Sequence, residues 1–105
     1  MARGDHLVVQ RRGYTHHGID CGDSSVIHYN GEPSEKQNAC VRLDSYDAFA
    51  KGDTVTVREY AVRVLPEVAV ARARSRLGER SYHLVVNNCE HFACWCWKRI
   101  ERETR

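Results

Sequence analysis

Cys89, Cys94 and Cys96 lie within eight positions of one another in NNCEHFACWCW, residues 87–97. A thiol can ligate a metal, close a disulfide or attack an electrophile, and spacing discriminates among the three. Structural zinc takes paired ligands on tight loops, whereas a helix turns positions 94 and 96 about 200° apart, so no metal site is expected. The five cysteines are an odd number, at 21, 40, 89, 94 and 96. They do not read as a secreted disulfide framework, and the thiols are expected to be reduced. Cys94 and Cys96 read as small packing residues. Cys89 follows Asn87 and Asn88, which are of the capping type, and so falls in the first turn of a helix. Free N–H groups and the helix dipole favour negative charge there, which predicts a lowered thiol pKa and makes Cys89 the candidate nucleophile.

A thiol nucleophile needs a base, and the base needs a group to orient it. Of six histidines, His6 heads a strand, His83 lies in the approach to the helix, and His91 is turned about 200° from Cys89. His16, His17 and His28 remain, on two adjacent strand-like stretches. Side chains alternate along a strand, so His16 and His17 face opposite ways. A two-residue turn at Asp23 and Ser24 would put His28 on the face of His17; a three-residue turn or bulge in GDSS would put it on the face of His16. Sequence leaves both open.

The elements that must carry these residues divide the chain in two. DHLVVQ, THHGIDC and SSVIHYN read as an antiparallel meander with RRGY and GDSS as turns. Residues 31–38, GEPSEKQN, read as a surface loop, ACVRLDSY and DTVTVREY as further strands, and DAFAKG as at most a helical turn. Pro66 suits a first helical position and Gly78 a stop, with an apolar stripe predicted at 66, 70, 73 and 77 and Arg72, Arg74 and Arg76 on a solvated face. YHLVVNN reads as a short extended segment. From Cys89 a helix is predicted to about 103, with Cys89, Phe92, Ala93, Cys96 and Ile100 on one face. At least one of Trp95 and Trp97 is expected to pack on the sheet or on the arginine-bearing helix.

The 105 residues are enough for one core, read as one domain over 1–105. A formal net charge of +2 argues against a nucleic-acid partner. The apolar run from Leu7 to Val9 is too short for a signal core or a membrane span, so the expected location is cytoplasmic.

GDHLVV, YTHHGIDCGDSSVIHY and NNCEHF together resemble the lecithin retinol acyltransferase-like family, over roughly residues 3–30 and 82–93. That resemblance implies an α+β fold, a circularly permuted relative of the NlpC-type, papain-like hydrolases. An antiparallel sheet of about five strands would pack against a second helix and the helix that begins at the nucleophile. It implies Cys89 as nucleophile, His16 as general base and His28 as the residue that orients His16, and so selects the three-residue turn or bulge. His17 stands where the family often has tryptophan and Asp20 where it often has tyrosine, which bears on substrate preference. The implied activity is cysteine-dependent acyl transfer or acyl hydrolysis through a thioester on Cys89, without a cofactor. The implied partners are an acyl donor, phospholipid or another acyl ester, and an acyl acceptor, with peripheral membrane contact. The end of the chain, KRIERETR, has no apolar segment after Ile100, and the expectation is a catalytic core without an anchor. Two other readings are a non-catalytic interaction domain that keeps the fold and a cysteine amidase or peptidase. Retention of Cys89, His16 and His28 together favours an enzyme.

Overall fold

β-Branched residues alternating with polar ones build the strands of the first half of the chain, and short turns at Gly13 and Gly22 help to fold it back on itself. The computed structural model describes residues 2–11, 13–30, 39–60, 64–80 and 88–97. Five strands, β1 (His6–Arg11), β2 (Tyr14–Asp20), β3 (Ser25–Asn30), β4 (Cys40–Ser45) and β5 (Val55–Arg58), form one antiparallel sheet in the order β4-β3-β2-β1-β5. Three helices accompany it: α1 (Tyr46–Ala50), α2 (Pro66–Ser75) and α3 (Cys89–Trp97). The fold is α+β, as the sequence implies. The predicted loop at 31–38, all but Asn88 of the extended segment at 82–88, and the helix beyond residue 97, with Ile100, lie outside the described residues.

Alternation along β2 assigns the two faces. His17 and Ile19 point to the side covered by α2 and α3, where Ile19, Cys21, Ile27, Tyr29 and Val41 pack against Ala69, Val70, Ala73, Phe92 and Ala93. His16 and Gly18 point to the other side, where Leu7, Val9, Val26 and Phe49 of α1 form a smaller cluster. Ser45 caps α1 by accepting from the N–H of Ala48 at 3.0 Å. That short helix thereby brings Phe49 beneath His16 and His28, with ring centroids 5.3 and 5.5 Å away.

The β2–β3 register decides the histidine question. Gly18 pairs with His28, Ile19 with Ile27 and Asp20 with Val26, and the Cys21 N–H donates to the Ser25 carbonyl at 2.9 Å. Three residues, 22–24, make the turn, with Gly22 at φ 88° and Ser24 at φ 68° in the left-handed region. His28 therefore shares a face with His16 and not with His17.

The second half departs from the sequence reading in detail. The buried positions of α2 are 69, 70 and 73, while Pro66 and Leu77 are exposed. Leu77 leaves the stripe because the helix ends at Ser75 and Arg76 adopts a non-helical φ of −109°. Arg72 and Arg76 are not a solvated face. Arg72 donates to the carbonyls of Trp95 and Cys96 in the last turn of α3, both at 3.3 Å. Arg76 lies 4.9 Å from the Trp95 ring centroid and 5.2 Å from that of Phe92, and binds Glu79 through two nitrogens. Trp97 is buried and stacks on Tyr60 at 5.5 Å. Gly78 and Glu79 hydrogen-bond to Val41, covering the outer edge of β4.

Candidate active site

Asn88 begins the helix of the candidate nucleophile: its Oδ1 accepts from the N–H of His91 at 3.0 Å and its carbonyl from that of Phe92 at 2.9 Å. Cys89 is thus the first residue of α3, and the residue is 9 % exposed. The sulfur lies against β2, where its S–H donates to the carbonyl of Thr15 at 4.0 Å and the backbone N–H of His17 points at it. Those two contacts bracket His16 on the strand. All five cysteines are free thiols. Among the described residues no group of three histidine, cysteine or acidic side chains is arranged to hold a metal ion.

On the opposite face of β2, His16 Nε2 meets His28 Nδ1 at 2.8 Å, and His28 Nε2 meets Asp44 Oδ2 at 2.7 Å. Both imidazoles are buried. A carboxylate only accepts, so the neutral chain has one proton order: His28 Nε2–H donates to Asp44, and His16 Nε2–H donates to His28 Nδ1. The lone pair of His16 is then on Nδ1, an atom that makes no hydrogen bond among the described residues. That is the protonation pattern of a general base oriented through its other nitrogen.

The electrostatics differ from the sequence expectation. Burial pushes the Cys89 thiol up, and it outweighs the N–H groups of His17, Glu90 and Cys89 that favour the thiolate. A helix start acts over one turn, whereas desolvation acts on the whole charge. His16 is lowered to about 2, chiefly by burial and then by His28 and Arg11. The resting groups are therefore a neutral thiol and a neutral imidazole. The structure brings His16 and His28 into contact and places Cys89 on the backbone of the same strand; among the described residues no hydrogen bond joins its sulfur to a histidine ring.

Sequence reasoning passed over Asp44 and a second buried network. On the α3 face, Thr15 Oγ1 meets His17 Nε2 at 3.0 Å, His17 Nδ1 meets His6 Nε2 at 2.8 Å, and His6 Nδ1 meets Tyr60 Oη at 2.6 Å. Tyr60 donates to Cys94 Sγ at 3.6 Å, as does Arg58 at 3.4 Å, and Arg58 also binds Glu90 at 3.1 Å. Asp44 was discoverable only through the β3–β4 register, which pairs it with Val26. The signal for the second network was two histidines, His6 and His17, on neighbouring strands.

A family model described as lecithin retinol acyltransferase matches residues 1–99. The lecithin retinol acyltransferase of Rattus norvegicus is 31% identical, over 90% of this chain and 53% of the relative. That of Homo sapiens is likewise 31% identical over 90% and 53%, and that of Mus musculus 30% over 91% and 54%. The chain spans about half the length of the curated relatives it matches.

Proposed function

The chain belongs to the lecithin retinol acyltransferase family, and on that premise we propose that it moves acyl groups through a thioester on Cys89. The observation that carries this reading is the His16–His28–Asp44 chain, ordered by hydrogen bonds of 2.8 and 2.7 Å, on the strand against which Cys89 rests. Residues 1–105 act in this reading as one catalytic unit, with no cofactor.

An acyl ester enters beside the start of α3. In this reading His16, whose ring lies on the face of β2 away from α3, takes the proton of Cys89 at the stretch of β2 backbone that the sulfur touches, and the sulfur attacks the carbonyl. The neutral resting pair makes this transfer concerted with attack, since neither charge is stable in the buried site beforehand. The developing oxyanion lies near the start of α3, where the Cys89 N–H is a candidate donor. Protonated His16, stabilised through His28 by the Asp44 carboxylate, returns the proton to the leaving alkoxide, and Cys89 is left as a thioester. In the second half His16 deprotonates the acceptor, the acceptor–carbon bond forms, the carbon–sulfur bond breaks, and the proton returns to Cys89. Water as acceptor gives hydrolysis, and an amine or hydroxyl gives transfer. Phospholipid is the proposed donor because the matched relatives are named for lecithin. With a lipid donor the enzyme works in the cytoplasm at the membrane surface; no helix among the described residues is long and apolar enough to cross a membrane.

The test is intact-mass analysis after exposure to p-nitrophenyl butyrate and, separately, to phosphatidylcholine vesicles. One acyl adduct mapped to Cys89, with loss of turnover in Cys89→Ser and retained folding, is the expected result. Undiminished turnover in Cys89→Ser would overturn the reading. An adduct on another cysteine would do the same.

A further inference from the structure

Tyr60 joins two buried histidines of the sheet to α3. Its oxygen meets His6 Nδ1 at 2.6 Å, and its hydroxyl donates to Cys94 Sγ at 3.6 Å, where Arg58 donates as well at 3.4 Å. With the Tyr60 proton directed at Cys94, the phenol oxygen accepts from His6 Nδ1–H, His6 Nε2 accepts from His17 Nδ1–H, and His17 Nε2 accepts from the hydroxyl of Thr15. Both nitrogens of each ring are satisfied with both rings neutral, and the sulfur of Cys94 is the last acceptor. On the sheet side the chain ends at Thr15, the residue whose carbonyl accepts from the thiol of Cys89. The helix is therefore tied to the sheet at Cys89 and again at Cys94, about 7.5 Å further along its axis and about 140° around it. A helix held at one point can pivot, whereas two contacts on different sides fix both its rotation and its slide.

We propose that Tyr60 is a positioning residue for acyl transfer: by tying Cys94 to His6 and His17 it sets the rotation of α3 that lays the Cys89 sulfur against the Thr15 carbonyl. This rests on the acyl-transfer reading above. The phenol is itself held from both sides, since its ring stacks on His6 at 5.8 Å and on Trp97 of α3 at 5.5 Å. Arg58 carries the restraint back along the helix, because it bonds both Cys94 and Glu90, the neighbour of Cys89 in the first turn. Loss of the Tyr60 hydroxyl leaves that stacking in place and removes the link between Cys94 and the histidines. The consequence is a nucleophile out of line rather than a chain unfolded.

Turnover of p-nitrophenyl butyrate by the full chain is followed by nitrophenolate release, with the adduct mapped by mass and rates expressed per folded molecule from circular dichroism. In Tyr60→Phe, which keeps the ring, kcat falls about tenfold with KM unchanged, within the roughly 10²-fold that a misplacement of about 1 Å costs. Cys94→Ala gives a similar loss. The two substitutions together cost no more than either one, since both cut the same link. Cys94→Ser, whose hydroxyl accepts from Tyr60, recovers rate lost in Cys94→Ala. Should Tyr60→Phe not fold, the comparison of Cys94→Ala with Cys94→Ser decides. Additive losses, full rates per folded molecule in both single variants, or no recovery in Cys94→Ser overturn the inference while leaving the thioester intact. Absence of any butyryl adduct on Cys89 in the unmodified chain overturns the acyl-transfer reading itself, a separate and recognisable failure.

Discussion

At the scale of single residues the site is governed by desolvation. Placing a cysteine first in a helix favours the thiolate, yet burial of Cys89 moves the thiol the other way. A raised thiol is protonated at neutral pH, so alkylation of Cys89 by iodoacetamide should be slow at pH 7 and climb steeply as pH passes 9. Rates mapped by mass spectrometry across pH check this; fast alkylation at pH 7 would contradict the buried neutral pair. His16→Ala should lower kcat by about 10²–10⁴, the usual contribution of a general base. Asp44 is half-buried, pairs with Arg42 and reaches His28 rather than His16, so Asp44→Ala should cost less, at least about tenfold in kcat, because His28 then loses the acceptor that fixes its tautomer. A steady-state comparison of the two variants with one donor ranks them.

At the scale of elements, register and caps hold the reacting groups together. Gly18 on β2 faces His28, Val26 and Phe49 with no room for a side chain. A Cβ there would stand 2.6 Å from Val26 Cγ1, 2.9 Å from Phe49 Cε1 and 3.2 Å from His28 Cβ. Gly18→Ala should therefore destabilise the fold by about 1–3 kcal/mol through overpacking, and it should lower activity beyond that loss by shifting His28 against His16. Urea titration with parallel activity measurement separates the two effects. Asn88→Ala removes the cap that begins the nucleophile's helix and should cost about 1 kcal/mol, lowering Tm by about 4–8 °C. The α2–α3 contact is similarly specific, since Arg72 donates to the carbonyls of Trp95 and Cys96 on α3.

At the scale of the whole molecule, the sheet buries histidines on both faces. His6, His16 and His17 are lowered to about 3, 2 and 4, with burial the first cause in each. A histidine depressed on folding is neutral in the native state and takes a proton when unfolded near its ordinary 6.5. The stability linked to these rings is thus fully present above pH 6.5 and is lost as pH falls from there toward pH 4 to 2. His16 alone lowers stability by about 1.4 kcal/mol per pH unit in that window. Circular dichroism during acid titration should show cooperative unfolding that begins below pH 6.5, and a chain still fully folded at pH 3 would contradict it. His6→Gln should unfold at lower pH, having one fewer ring to charge.

Much of this was legible in the residues. The period-2 runs yielded five antiparallel strands, Pro66 and Asn88 marked two helix starts, and NNCEHF beside the histidine strand pointed to the family. Local chemistry carries those signals, because propensity, capping and alternation act within a few positions. Three things were decided only by tertiary structure. The three-residue turn at 22–24 set which histidine faces His28, since a one-residue slip reverses every side chain on a strand. The β3–β4 pairing delivered Asp44, 16 residues on, to His28. Packing of α3 on β2 made desolvation stronger than the helix start at Cys89 and turned two arginines from a solvated face into the clamp on that helix. Each depends on which groups are removed from water together, and that is settled by contacts between elements distant in the chain.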